Sequence, residues 1–256
     1  MKLELDEYAY LESPIHRWDP RTKLIGLVVL IFAFSAVQDL RLVPAMLAIT
    51  VVVFAISHLP ISYLVDRLKL PGIFLLALAA ILPFTAGSTI LFSLGPVDIR
   101  QEGILSILLI ASRFVCIITV TLVLFGTAPF LTSIKAMRSL GLSEILTDMI
   151  LLTYRYLFEI GDQLATMRKA IRLRGFDGHQ LSRRNLNTVA ALIGSMLIRS
   201  YEQAEQVYKA MVLRGYGYAQ AAPDEFETRA WDYVLCGVVV VVAVGLAGTQ
   251  FWLNWV

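Results

Sequence analysis

The sequence predicts an all-α, polytopic membrane protein with about five transmembrane helices and a cytoplasmic domain of long amphipathic helices. Three observations predict it. The 256 residues are 57% hydrophobic and only 16% charged, whereas soluble domains run near 45–50% apolar and about 25% charged. Uncharged runs recur at lengths suited to roughly 30 Å of hydrocarbon, which a helix of about 20 residues crosses. A segment of 100 residues near the C-terminal end breaks this pattern, carrying 13 Lys+Arg and 10 Asp+Glu. Sixteen Gly, nine Pro and two Cys in so apolar a chain exclude collagen-like, disordered and disulfide-stapled classes.

Residues 1–23 contain Glu4, Asp6, Glu7 and Glu12 and no apolar core. They read as a retained interfacial segment rather than a cleaved leader, with Tyr8, Tyr10 and Trp18 at headgroup depth. Residues 24–130 are expected to hold four spans. Leu24 to Gln38 and Leu42 to Ser57 are separated by the turn Gln38-Asp39-Leu40-Arg41, and read as two tightly connected spans or, in a minority reading, a re-entrant hairpin. Leu70 to Val97 is uncharged over 28 residues and is broken by Pro71, Pro83 and Gly87; Pro83 and Gly87 suggest a kink or close helix packing and, in a minor reading, a gate. Gly103 to Ile134 is interrupted only by Arg113, an intramembrane charge that either has a function or snorkels to an interface. The last domain, 231–256, contains the uncharged run Tyr233 to Val256.

Charge orients this arrangement. With the N-terminus inside, cytoplasmic segments hold 19 of the 22 Lys+Arg and outside segments hold two. That is the positive-inside pattern, and it puts the C-terminus outside.

Residues 131–230 are too long for a structureless connection. Leu146, Met149, Ile150, Leu152, Thr153, Tyr156, Leu157 and Ile160 recur at i, i+3, i+4 and i+7 intervals, with Asp148, Arg155, Glu159 and Asp162 between them. Leu186 to Ile198 is apolar but too short to span. Long amphipathic helices are therefore expected at Ser143–Leu173 and Arg184–Leu213, after a Leu-Gly-Leu turn at Leu140–Leu142.

An internal repeat ends both helices. Lys169-Ala170-Ile171-Arg172-Leu173-Arg174-Gly175-Phe176 matches Lys209-Ala210-Met211-Val212-Leu213-Arg214-Gly215-Tyr216 at an offset of 40, with five identities. One copy alone reads as a helix stop, since Gly accepts the left-handed conformation and a cation complements the helix dipole. A stop does not require the same Leu, Arg and aromatic twice. The repetition points to paired docking on a partner with two similar subunits, because Arg is a rigid five-donor fork enriched at interface hot spots.

These motifs resemble the signature of the transmembrane (T) component of energy-coupling-factor transporters, ATP-driven importers of vitamins and metals. The family's usual Ala-Arg-Gly is Leu-Arg-Gly in both copies here. His16-Arg17-Trp18-Asp19-Pro20-Arg21-Thr22-Lys23-Leu24 is similar to the family's Asp-Pro-Arg-x-Lys-Leu element ahead of the first span, with Trp18 in place of Leu. Leu151-Leu152-Thr153-Tyr154-Arg155-Tyr156 is like its Tyr-Arg element on the first coupling helix. The opening Leu5-Asp6-Glu7-Tyr8-Ala9-Tyr10, followed by Ser13, is similar to the cobalt/nickel subgroup.

The resemblance implies a non-catalytic coupling subunit in a bacterial or archaeal cytoplasmic membrane. Arg174, Gly175, Arg214 and Gly215 would dock two ATP-binding-cassette ATPase subunits, supported by Leu173, Phe176, Leu213, Tyr216, Tyr154 and Arg155. Asp19, Pro20, Arg21 and Lys23 would form a structural motif. ATP-driven movement would pass to a separate substrate-binding membrane subunit, with cobalt or nickel the cargo.

Other chemistries lack their residues. No GxxxxGK[ST] phosphate loop occurs, so ATP hydrolysis is expected on the partners. His16, His58 and His179 are scattered and Cys116 and Cys236 stand singly, so neither a metal site nor a cofactor is expected. The alternative of a membrane-embedded enzyme acting on a lipid or prenyl substrate needs clustered acids or nucleophiles that do not stand out. A secondary transporter would need inverted repeats, and nucleic acid is not an expected partner with so balanced an insert. Membrane lipids are.

Overall fold

The structure is a computed structural model and describes residues 8–9, 11, 13–85, 90–94, 97–176, 182–217 and 228–255. The chain forms α1 (Pro20–Ala36), a 3-10 turn (Leu40–Leu42), α2 (Val43–Ser57), α3 (Ile61–Thr85), β1 (Ile90–Leu94) and β2 (Val97–Arg100). It continues through α4 (Gln101–Gly126), α5 (Phe130–Ser139), α6 (Glu144–Leu173), α7 (Arg183–Leu213) and α8 (Ala230–Trp255). It is an all-α membrane protein with one short hairpin. Two compact units divide it: Ser143–Glu225, which contains α6 and α7, and a larger one made of Glu4–Leu142 and Phe226–Val256.

Among the described residues three stretches are long and apolar enough to cross a membrane: Leu40–Ser57, Gly103–Gly126 and Ala230–Trp252. Helix α1 has 17 residues, about 25 Å at 1.5 Å per residue, the short end of the spanning range. Helix α3 begins nine residues before the uncharged run at Leu70 and continues through Pro71 to Thr85. After it the sequence reading needs correction: β1 and β2 pair antiparallel, Ile90 opposite Arg100 and Leu94 opposite Val97. A short apolar run cannot be assigned to helix or strand by periodicity alone, and Gly95-Pro96 is a turn signal. Gly87 lies outside the described residues.

The core of the larger unit is built on α1. Leu27, Leu30 and Phe34 pack with Met46 of α2, Cys116, Val120 and Val123 of α4, and Ala243 and Leu246 of α8. Helices α1 and α8 run parallel and are joined at both ends. At their N-termini the Asp232 carboxylate accepts from the amide of Asp19 (3.4 Å) and from that of Arg229 (2.9 Å). At their C-termini Gln250 Oε1 accepts from the amides of Gln38 (3.0 Å) and Asp39 (3.1 Å). Both are orphan-donor problems of helix ends and chain turns solved by one side chain from a neighbouring helix.

Trp18 belongs to this junction, a second correction. It is buried rather than placed at headgroup depth; its indole N–H donates to the Asp232 carbonyl (3.3 Å). A Cβ at Gly26 would stand 3.4 Å from the Trp18 ring, so a small residue there lets the ring lie against α1. Tyr8, half-buried, packs tilted against Tyr63 with ring centroids 5.0 Å apart, and Tyr10 lies outside the described residues.

Helix α4 runs antiparallel to α1. Lys23, 1% exposed, donates from Nζ to the Thr127 carbonyl (3.2 Å) and hydroxyl (3.1 Å) at one end, and to the Ile15 carbonyl (3.4 Å). Fourteen residues further along α1, the Arg113 guanidinium donates to the carbonyl of Val37, the C-cap. Arg113 therefore caps α1, placing a cation at the negative end of its dipole. Helix α5 buries Ser133, Ile134 and Ala136 and packs against α1 within the larger unit. The compact helical pair accordingly starts at Ser143 rather than at 131, where the composition of the chain changes.

Candidate coupling site

The two long helices match the sequence expectation within one residue at either end. At 30 and 31 residues they are each about 45 Å long. They cross once, where Gln163 Nε2 donates to Gln203 Oε1 (3.5 Å) and Gln203 Nε2 donates to Glu159 (2.7 Å). Gln163 and Gln203 are themselves 40 apart, the offset of the Leu-Arg-Gly motifs. Residues equivalent in a repeat meet each other only at an axis relating the copies, so the pair has a pseudo-twofold axis at the crossing.

The grooves beside the crossing obey the same axis. One, about 900 Å³, is lined by Ile160, Leu164 and Ile171 of α6, by Phe176 just past its end, and by Leu192, Ile193, Met196 and Leu197 of α7. The other, about 600 Å³, is lined by Ser200, Ala204 and Met211 of α7, by Tyr216 just past its end, and by Leu152, Thr153, Tyr156 and Leu157 of α6. Each of these eight residues of the first is offset by 40 from one of the second, while Arg172 and Val189, which also line the first, have no counterpart lining the second. Two straight amphipathic helices that cross at one point diverge on either side, which leaves their apolar stripes facing each other across open space. The repeat therefore extends over both helices, with Leu152/Leu192, Leu157/Leu197 and Gln163/Gln203 identical. Sequence identity is dense only in its last eight residues, because elsewhere the match is mostly one of burial rather than residue type.

Both motifs fold into the same helix stop. Gly175 (φ +83°) and Gly215 (φ +86°) are left-handed. The Phe176 amide donates to the Ile171 carbonyl (3.1 Å) and the Gly175 amide to Arg172 (3.0 Å); the second copy has Tyr216 to Met211 (3.0 Å) and Gly215 to Val212 (2.9 Å). This is the Schellman arrangement, with Arg174 and Arg214 at the C-cap. The aromatic that follows lines the groove beside Ile171 or Met211, the apolar contact that accompanies this stop.

Helix α5 ends in the same way without an arginine at the cap. Gly141 (φ +108°) is left-handed, and the Leu142 amide donates to Met137 (3.0 Å). A stop therefore needs the glycine and an apolar residue after it. What α6 and α7 add is exposure: Leu173 is 90% and Leu213 88% exposed, and Arg174 and Arg214 are exposed beside them. A leucine gains about 2 kcal/mol of transfer energy when covered, and at these two positions the chain does not collect it.

The remaining expected residues separate into two places. Tyr154 is half-buried and edge-on to Phe158 at 5.1 Å, and Arg155 is exposed. They lie some 20 residues before Arg174 and beside Thr153 and Tyr156, which line the groove ending at Tyr216. Asp19 caps α1 by accepting from the Arg21 amide (2.9 Å), with Pro20 at the first helical position. With Lys23 they build the membrane corner described above. Sequence reasoning does not single out Asp232 and Gln250, since single polar residues at the ends of an apolar run have no pattern that signals a clamp. Among the described residues no three of His, Cys, Asp and Glu are grouped as a metal site.

Comparison with known proteins decides the family. The profile of CbiQ, a cobalt transport protein, matches residues 12–223. The chain belongs to this family. It is 30% identical to the energy-coupling factor transporter transmembrane protein EcfT of Limosilactobacillus fermentum, over 93% of each chain. It is 26% identical to EcfT of Streptococcus equi, covering 96% of this chain and 94% of that one, and 26% identical to EcfT of Listeria innocua, covering 99% and 98%. The protein is thus a T component, the transmembrane coupling subunit of an energy-coupling-factor transporter. The CbiQ/EcfT match runs through both Leu-Arg-Gly motifs and the Asp-Pro-Arg segment.

Proposed function

We propose that this T component couples two ATP-binding-cassette ATPases to a substrate-binding membrane subunit, through Arg174-Gly175 on one coupling helix and Arg214-Gly215 on the other. One observation carries the reading: two helix ends with the same Leu-Arg-Gly stop, related by a pseudo-twofold axis, each present an uncovered leucine beside an uncovered arginine. Such a pair fits a partner that is itself a pair of like subunits. ATP hydrolysis belongs to those subunits, and closure between them would swing the two helix ends about the Gln163/Gln203 crossing. The cargo is cobalt or nickel, which the CbiQ description and the N-terminal segment support.

The reading includes a topology. Helices α1 to α4 and α8 are the five spans, so residues 1–23 and the segment between α4 and α8 are cytoplasmic and the C-terminus is outside. Support comes from the parallel α1 and α8, whose N-termini share Asp232 and therefore lie on one side. The membrane is the cytoplasmic one.

The test is co-purification of the tagged chain with its host's ATPases. Two desolvated arginine anchors of about 2 kcal/mol each amount to several hundredfold in affinity. The double variant Arg174→Glu/Arg214→Glu should lose the ATPases while keeping its thermal midpoint. Undiminished capture would move the docking site elsewhere.

A further inference from the structure

The axis that relates the two helix ends does not relate their charge. Residues 166–184 hold six Lys and Arg and one Asp, whereas the equivalent residues 206–224 hold two and one. Arg168 and Arg172, which stand along the first groove, are replaced by Tyr208 and Val212 in the second copy. Arg183 and Arg184 open α7, nine and ten residues after Arg174 in the sequence; their equivalents are Pro223 and Asp224. Arg168, Lys169, Arg172, Arg174, Arg183 and Arg184 are all exposed. By contrast Lys209 is held by Glu205 at 2.8 Å.

Four like charges in the last two turns and cap of α6, with two more in the first turn of α7, raise the local potential and lose stability to mutual repulsion unless an acidic surface covers them. Two ends with the same Leu-Arg-Gly fork and different surroundings are built for the same grip with different capture. Rim charges act chiefly on association rate and its salt dependence. We infer that the α6 end is the electrostatic capture site for an ATPase whose docking groove is ringed by acidic residues, and that the α7 end is held mainly by its apolar and aromatic contacts. This rests on the docking reading above. It adds which of the two ends meets the partner first and what chemistry the partner's face must have.

The experiment measures association of the purified ATPase with the full chain in neutral phosphatidylcholine nanodiscs, across NaCl from about 50 to about 500 mM. Arg214→Ala isolates the α6 end and Arg174→Ala the α7 end. The α6 end should lose tenfold or more in association rate over that range, and the α7 end less than about threefold. Adding Arg168→Gln/Arg172→Gln/Arg183→Gln/Arg184→Gln to Arg214→Ala should flatten the α6 response while leaving the Leu173-Arg174-Gly175 fork in place. Equal salt responses at the two ends, or a quadruple variant without effect, overturn the inference. So does a response that vanishes in anionic nanodiscs, which would assign the patch to lipid headgroups. Loss of all association in wild type at every salt concentration would instead remove the docking reading itself.

Discussion

The membrane unit and the coupling pair use polar residues in opposite ways. In the first, Asp232, Gln250, Lys23 and Arg113 turn inward and end on backbone groups of neighbouring segments. In the second, Arg174 and Arg214 turn outward, and even Leu173 and Leu213 are uncovered. On the docking reading proposed above, function lies with the second kind. A polar group buried among helices satisfies a backbone and holds the fold, whereas an apolar group left uncovered beside a charge waits for a partner.

Substitutions can tell these two uses apart. Leu173→Asp/Leu213→Asp should have the largest effect on transport, tenfold or more in uptake, with the thermal midpoint unchanged because neither side chain packs in this chain. A fall in midpoint would mean that these leucines are structural. Asp232→Ala should do the reverse: the buried Asp19 amide and the exposed Arg229 amide lose their acceptor, costing about 1–3 kcal/mol in stability, most of it at Asp19. Thermal unfolding in detergent checks this, and Asp232→Asn, which keeps one acceptor, should recover part of the loss.

The three helix stops draw a finer line between holding the fold and meeting a partner. Gly141→Ala and Gly175→Ala each force a Cβ into the left-handed region, for about 1–2 kcal/mol. The stability losses should be alike, yet only Gly175→Ala should weaken ATPase capture. Equal capture would leave the α6 end no more than a stop.

The smallest effect is a pH dependence. His16 bonds Ser13 Oγ through Nδ1 (2.6 Å) and the Tyr8 carbonyl through Nε2 (3.0 Å), which the neutral ring with its proton on Nε2 satisfies. Burial, first, and then the Lys23 and His58 charges push its pKa below the ordinary 6.5, against the opposing pull of the Tyr8 carbonyl. The unfolded chain then binds the proton more readily, so stability is full above pH 6.5 and falls as the pH drops below it. Comparing midpoints of wild type and His16→Gln between pH 7.5 and pH 5, about that range, should show the loss only in wild type.

Much of the fold and of the coupling site can be read from the sequence. Helices α6 and α7 fall within one residue of their expected bounds because amphipathic periodicity, a Leu-Gly-Leu turn before them and glycine stops after them all agree. The Leu-Arg-Gly forks are legible as a repeat. The hairpin at Ile90–Arg100 is not, since so short a run, four apolar residues and Ser93, suits a strand as well as a helix. Trp18 reads as a headgroup aromatic because aromatic belts are common, and nothing local to it announces Gly26 and Asp232 as its neighbours.

Hydropathy, periodicity and glycine stops are local properties of a chain, so they suffice for the all-α membrane class, the two coupling helices and the residues at their ends. Packing alone settles that α1 and α8 run parallel under Asp232 and Gln250, that Arg113 caps α1, and that the coupling helices share an axis at Gln163 and Gln203. Those are pairings between residues up to 214 positions apart, set by which buried donor reaches which acceptor. No local pattern encodes that choice, since each partner's own neighbourhood reads the same whether or not the other is there.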